Sequence, residues 1–273
     1  MKTMVTKLMN RRQRISRAAT VLLIGWMIAF SAVLAAAADS VSTEAGPEGP
    51  AQTAYAPANG PGPVIIVISG QTGPTSYKKF ASEVAALGYY SVLLDGKDIL
   101  NRELTGVGNL KKAIERAQLS PHAVKGKAAV IGFSLGGGGA LYNATTLQDL
   151  VSVVIAYYPY TRSWADRMGW FVRRFRVPVL VMAAQRDRYK ECCVIESMRA
   201  METAAKDNGM QFELVVYPEA NHGFNLEKGA SGEPASAYRH DDDRDAWQRT
   251  VKMLKLYHPL QEKQRGALDT EQQ

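Results

Sequence analysis

The chain has 273 residues, 46% of them hydrophobic, with 23 glycines and 12 prolines. That composition excludes a fibrous or largely disordered chain and suits one globular domain. The formal net charge is +7, but six of the 33 basic residues (Lys2, Lys7, Arg11, Arg12, Arg14 and Arg17) precede residue 39 and no acid does, so the remainder sets 27 basic against 26 acidic side chains. A body that nearly neutral lacks the basic footprint of a nucleic-acid binder.

The chain opens with that basic head and then an uncharged stretch from Ala18 to Ala38, centred on Val21-Leu22-Leu23-Ile24-Gly25-Trp26 and ending in Ala36-Ala37-Ala38 before Asp39. This is the layout of an export signal with a small-residue cleavage site, so a periplasmic or secreted protein is expected. The stretch is also long enough to span a bilayer, which leaves a membrane anchor over residues 18–38 as the alternative if it is not cleaved. Arg11-Arg12 resembles a twin-arginine export signal, although Gln13-Arg14-Ile15 departs from the apolar pair expected after it. No cysteine stands near the cleavage point, which argues against a lipid anchor.

Residues 39–62 are rich in Ala, Pro, Gly and Ser without periodicity and read as a flexible linker. The folded body is expected over 63–259, followed by a polar tail over 260–273. Val64-Ile65-Ile66-Val67-Ile68 is a β-branched run of the kind buried on both faces of a parallel sheet. A helix is predicted from Tyr77 to Leu87, a strand over Tyr90–Leu94, a helix over Leu110–Ala117 and a strand over Lys127–Phe133. A helix then opens at Gly137, and strands follow at Val151–Tyr157, Val177–Ala183 and Phe212–Tyr217. A helix over Asp243–Leu256 closes the body. Strands alternating with helices predict an α/β fold with a mostly parallel sheet, covered on both faces, and with its chemistry at the C-terminal strand edge.

Three polar residues fall at that edge. Ser134 lies in Gly132-Phe133-Ser134-Leu135-Gly136-Gly137, a strand–turn–helix pattern that lifts a hydroxyl above the sheet. Asp187 follows the strand ending at Ala183, and His222 follows the strand ending at Tyr217. Their chain order, nucleophile, acid and histidine, is that of an α/β-hydrolase. The expected roles are Ser134 as nucleophile, His222 as its base and Asp187 as the group that orients the imidazole. Glu191 is the nearest substitute acid. The oxyanion donors are expected at the Leu135 N–H and at the loop after the first strand, with Gln71 first and Thr72 as its substitute. Tyr158, Tyr160 and Trp164 lie in an aromatic segment too short for a large lid and are expected to line a substrate pocket, with packing on the sheet edge as the alternative.

Other patterns yield less. His122 and His258 read as surface or packing residues. His240 precedes Asp241-Asp242-Asp243, acids that suit a helix N-terminus better than a metal. The glycines at 136–139 match no phosphate loop, and no cofactor is expected. Cys192 and Cys193 are the only cysteines. They are either free thiols or a vicinal disulfide, and no Cys or His at zinc spacing accompanies them in the sequence.

Together, Gly132–Gly137, Arg186-Asp187, Tyr217-Pro218-Glu219-Ala220-Asn221-His222-Gly223-Phe224 and Ala246-Trp247-Gln248-Arg249-Thr250 resemble the dienelactone hydrolase family of the α/β-hydrolase superfamily over residues 62–259. The resemblance implies a compact hydrolase of small-molecule esters or lactones that works through an acyl-enzyme. The named dienelactone hydrolases carry a cysteine where this chain has Ser134, and a glutamate where it has Gln71. The chain thus resembles a serine-nucleophile variant. A serine peptidase or acyltransferase on the same scaffold, and an exported binding protein without catalysis, remain the alternatives. Oligomeric state is left open.

Overall fold

The computed structural model describes residues 40–261, apart from positions 44, 48, 230, 233 and 234. The export-signal or anchor segment, residues 1–38, and the tail from 262 onward lie outside the described residues. No helix among the described residues is long and apolar enough to cross a membrane.

Eight strands form one sheet: β1 (Ser40–Thr43), β2 (Gln52–Tyr55), β3 (Gly62–Ile68), β4 (Tyr90–Leu94), β5 (Ala123–Phe133), β6 (Val151–Tyr157), β7 (Val179–Ala184) and β8 (Phe212–Tyr217). Their order is β1-β2-β4-β3-β5-β6-β7-β8. From β4 to β8 all pairings are parallel, whereas β2 runs antiparallel to β4 and β1 antiparallel to β2. This corrects the reading of 39–62 as a flexible linker. Thr53 pairs with Leu93 and Ala54 with Val92, so the segment extends the sheet by two strands. Both strands are only four residues long, and β1 is exposed throughout, so neither carries the apolar run that marks the central strands.

The helices are α1 (Lys78–Ala86), α2 (Gly96–Ile99), α3 (Gly106–Gln118), α4 (Leu135–Asn143), α5 (Met168–Val172), α6 (Ile195–Asp207) and α7 (His240–Tyr257). Successive residues of a strand face opposite sides of a sheet, and the core divides accordingly. Val64, Ile66, Ile68, Val130 and Val154 pack with Leu110 and Ile114 of α3 and Leu141 of α4. Ile65, Val67, Ile131, Val153 and Ile155 pack with Phe80 and Val84 of α1 and Leu254 of α7. Every residue of β3 is buried. At roughly 1.5–3 kcal/mol for each fully buried aliphatic side chain, this central strand is a large stabilising element.

Several boundaries move. The helix after Ser134 begins at Leu135 rather than Gly137, α3 begins at Gly106, and β5 extends back to Ala123. Helix α6 and the short α2 and α5 add to the predicted set. Asp95 caps α2, its side chain accepting from the Lys97 N–H at 2.9 Å.

Candidate active site

Ser134 sits between β5 and α4 with φ 52 and ψ −114, backbone angles rarely adopted by a residue with a side chain. Its N–H donates to the Tyr157 carbonyl, and its carbonyl accepts from the Gly138 and Tyr160 N–H groups, so three bonds hold the turn. The flanking glycines permit its closeness. A Cβ on Gly132 would meet the Gly136 carbonyl, and one on Gly136 would meet the carbonyls of Ile68 and Ser69. Strand, turn and helix thus approach to a spacing that only glycine allows.

The residues expected to act with Ser134 come together. Its Oγ lies 2.9 Å from His222 Nε2, and His222 Nδ1 lies 2.6 Å from Asp187 Oδ2. A carboxylate only accepts, so Nδ1–H donates to Asp187 and Nε2 is left to accept a hydrogen bond from the Ser134 hydroxyl. The second carboxylate oxygen of Asp187 accepts from the Tyr189 N–H at 3.0 Å. Asp187 is almost fully buried, with 1% of its surface exposed. Two main-chain bonds lace the supporting loops together: Gln185 N–H to the Tyr217 carbonyl and Arg186 N–H to the Ala220 carbonyl. Acid and histidine therefore share one framework at the C-terminal ends of β7 and β8. Glu191, the substitute acid, lies outside this relay in a short 3-10 turn over Tyr189–Glu191.

Two aromatic rings hold the imidazole. Tyr189 stacks on His222 at 4.5 Å between centroids with an interplanar angle of 14°, and Tyr158 meets it edge-on at 4.8 Å. The sequence by itself does not mark Tyr189 as a partner of His222. Its position two residues after the acid was the available signal. Tyr158 adopts φ 35, a left-handed conformation costly for a bulky residue, and its hydroxyl donates to Asn225 Oδ1 at 2.7 Å. Burial pushes the Tyr77 hydroxyl up to about 12 and raises that of Tyr158 well above its usual value. Both stay protonated near neutral pH, so they are hydrogen-bonding supports rather than bases.

The expected pocket residues separate. Tyr158 lies against the histidine, and Tyr160 is tied to the Ser134 carbonyl through its backbone. Trp164 belongs to an aromatic cluster of the core. It is 5% exposed, stacked on Phe171 at 4.5 Å and on Tyr142 at 5.1 Å, and so serves the core. Flat aromatic surfaces gain more from mutual burial than from contact with water. Arg174 lies over the Tyr142 and Trp170 rings. A cavity of about 800 Å³ lies apart from the relay, lined by Lys79, Phe80, Glu83, Asn225, Asp243 and Trp247 among others, but by none of Ser134, Asp187 and His222.

Around the serine, Leu135 is the first residue of α4, whose N-terminus receives no side-chain cap because the Ser134 hydroxyl is turned to His222. Gln71 and Thr72 are exposed in a turn closed by the Gly73 N–H on the Gly70 carbonyl at 3.1 Å. That turn passes close to the serine, since a Cβ on Gly70 would lie 3.4 Å from Ser134 Cβ. Of the other histidines, His258 is buried and bonded through Nδ1 to Ser152 Oγ at 3.0 Å, whereas His122 and His240 are exposed. Asp241, Asp242 and Asp243 occupy the first turn of α7. Cys192 and Cys193 are joined as a vicinal disulfide.

The sequence of residues 95–258, which holds Ser134, Asp187 and His222, matches the model of the dienelactone hydrolase family. The chain belongs to the dienelactone hydrolase family. Solved structures agree on the α/β-hydrolase fold. A dienelactone hydrolase-like promiscuous phosphotriesterase, P91, from metagenomic libraries is 18% identical with a TM-score of 0.65, covering 81% of this chain and 99% of that one. A thermophilic esterase from Thermogutta terrifontis is 16% identical with a TM-score of 0.58, covering 84% and 96%. The acylaminoacyl peptidase of Pyrococcus horikoshii is 17% identical with a TM-score of 0.59, covering 76% of this chain but only 39% of that one. Among curated proteins, none matches the chain's sequence.

Proposed function

We propose that this dienelactone hydrolase family member is a serine hydrolase of carboxylic esters or lactones. The observation that carries the reading is the continuous relay from Ser134 Oγ through His222 to Asp187, at 2.9 and 2.6 Å. A serine hydroxyl is a weak nucleophile until a base takes its proton. In the proposed reaction, Ser134 Oγ attacks the substrate carbonyl while Nε2 of His222 accepts the proton. Asp187 stabilises the resulting imidazolium and keeps its orientation. The oxyanion is held by the N–H groups of Leu135 and Gln71, at the positive end of the α4 dipole. Collapse expels the alcohol, protonated by His222. Water then repeats the sequence to release the acid and restore the serine.

Between β6 and β7 the chain carries only a 3-10 turn over Arg162–Arg167 and the five-residue α5. A cover that small favours compact or flexible substrates over long chains buried beneath a lid. Serine in place of the cysteine, and Gln71 in place of the glutamate, favour a general ester hydrolase over a true dienelactone hydrolase. We further propose that the N-terminal segment directs export, which agrees with a disulfide-permissive compartment.

A panel of short p-nitrophenyl esters, lactones and peptide amides, run beside Ser134→Ala, tests the reading. Ester or lactone turnover that disappears in Ser134→Ala is the expected outcome. A serine-reactive organophosphate should label Ser134, and the Thermogutta esterase is itself phosphoramylated by tabun. Turnover of amides alone would make the protein a peptidase. Neither labelling nor turnover would leave a binding protein with a hydrolase fold.

A further inference from the structure

The proposed reaction leaves Cys192 and Cys193 without a task, yet the fold delivers them to its centre. They are the chain's only cysteines, and both are buried, at 6% and 1% exposure. After Asp187 the chain turns sharply, with Lys190 and Glu191 at φ 49 and 50. The Cys192 carbonyl then accepts from the N–H groups of Thr161 and Arg162 at 2.9 and 3.2 Å, which anchors the pair to the segment that follows β6. The two sulfurs and a ring nitrogen of His222 all lie within 4.8 Å of one another. Among the described residues, this is the one cluster of three side chains placed to ligate a metal ion together. The sequence alone hides it, because His222 belongs to a different loop.

We propose that, once reduced, Cys192 and Cys193 join His222 in a binding site for a thiophilic divalent cation of the Zn²⁺ class. Thiolate and imidazole donors suit such an ion. In the oxidised chain the sulfurs are bonded to each other and offer no thiolate. Reduction breaks that S–S bond with two electrons and two protons, supplied by a dithiol that itself closes to a disulfide. Coordination then replaces the two S–H protons, which pass to solvent, by two metal–sulfur bonds. Zn–S distances of about 2.3 Å and Zn–N distances of about 2.0–2.1 Å require tetrahedral ligand atoms roughly 3.5–3.8 Å apart. Three atoms within 4.8 Å reach that arrangement through side-chain movement as the sulfurs part.

The relay suits the same task. With Nδ1–H donated to Asp187, Nε2 of His222 carries the available lone pair, and Asp187 becomes the carboxylate behind a metal-bound imidazole. A bound ion would also neutralise two thiolates in a buried position, where unpaired charge is costly. It would take Nε2 from Ser134, so metal binding would switch off hydrolysis. The binding site rests on Cys192, Cys193 and His222 alone, and only the inhibition rests on the proposed reaction.

The test uses the purified chain, oxidised or reduced with dithiothreitol and desalted without air, with Cd²⁺ as the spectroscopic probe. Thiol titration should give two thiols per reduced chain, from its two cysteines. The expected result is one Cd²⁺ per reduced chain with a thiolate-to-metal absorption band, none in the oxidised chain, and competition by Zn²⁺. Asp187→Asn should weaken binding about 10–100-fold, and His222→Ala further still. Ser134→Ala should bind as the unmodified chain does, which separates failure of this site from failure of the hydrolase reading. In an active preparation, Cd²⁺ should stop turnover of the reduced form alone, and a chelator should restore it. The proposal is overturned if the reduced chain binds no ion, if His222→Ala binds as tightly as the unmodified chain, or if reduction abolishes the native near-ultraviolet dichroism.

Discussion

At the scale of single residues, the relay depends on how His222 is held. Asp187 fixes which nitrogen carries the proton, and Tyr189 fixes the plane of the ring. The two should fail differently. Asp187→Asn can present an amide N–H to Nδ1, which favours the wrong tautomer, and kcat should fall roughly 10³–10⁴-fold with the fold intact. Tyr189→Ala removes a stacking partner worth roughly 0.5–1.5 kcal/mol, so kcat should fall only about two- to tenfold. Tyr189→Phe, which keeps the ring, should restore it. Steady-state kinetics on the best ester of the panel checks all three. Equal losses in Tyr189→Phe and Tyr189→Ala would refute the stacking argument.

At the scale of elements, the turn around Ser134 is both the most legible part of the chain and the most tightly built. Its glycines, the apolar run before it, and the positions of Asp187 and His222 after later strands were readable because each is a local pattern. Other features depend on contacts distant in sequence. Strands β1 and β2 exist through pairing with β4, and their four-residue lengths hide them among turn residues. The stacking of Trp164 on Tyr142 and Phe171 is not legible either, because an aromatic cluster has the same sequence appearance whether it faces a ligand or another ring. Tyr189 and the cysteine pair were invisible as partners of His222 because the β7 and β8 loops meet only in three dimensions. The packing of the turn leads to a paired prediction. Gly136→Ala places a methyl against the Ile68 and Ser69 carbonyls and should destabilise the chain by about 1–3 kcal/mol. Gly108→Ala lies in α3 with nothing within 4 Å of the added carbon and should stabilise it by about 0.5–1 kcal/mol. Denaturant titration of the two variants should therefore give midpoints on opposite sides of the unmodified chain.

At the scale of the whole molecule, the C-terminal helix closes the sheet through His258. The residue caps α7, bonds Ser152 of β6 through Nδ1, and accepts the Tyr89 hydroxyl on its carbonyl at 3.1 Å. Its ring also stacks on Tyr89 at 5.8 Å. Burial depresses its pKa from 6.5 to about 4, because the charged imidazolium loses its hydration there. The folded chain therefore resists a proton that the unfolded chain accepts. The His258 contribution to stability falls as pH drops from about 6.5 towards 4 and is level below that window, where both states are protonated. The gap corresponds to a difference of roughly 3 kcal/mol between the two ends. Asp243 acts in the opposite sense, since burial raises its carboxyl to about 6 and the folded chain there favours the neutral acid. The net pH profile of the unmodified chain therefore mixes the two contributions, and the informative quantity is a difference. Unfolding free energies of the unmodified chain and of His258→Gln should converge as pH falls from 7 to 4, because glutamine can keep a bond to Ser152 but does not titrate. A constant separation across that range would show that His258 is protonated equally in both states and that its burial does not govern the acid sensitivity of the fold.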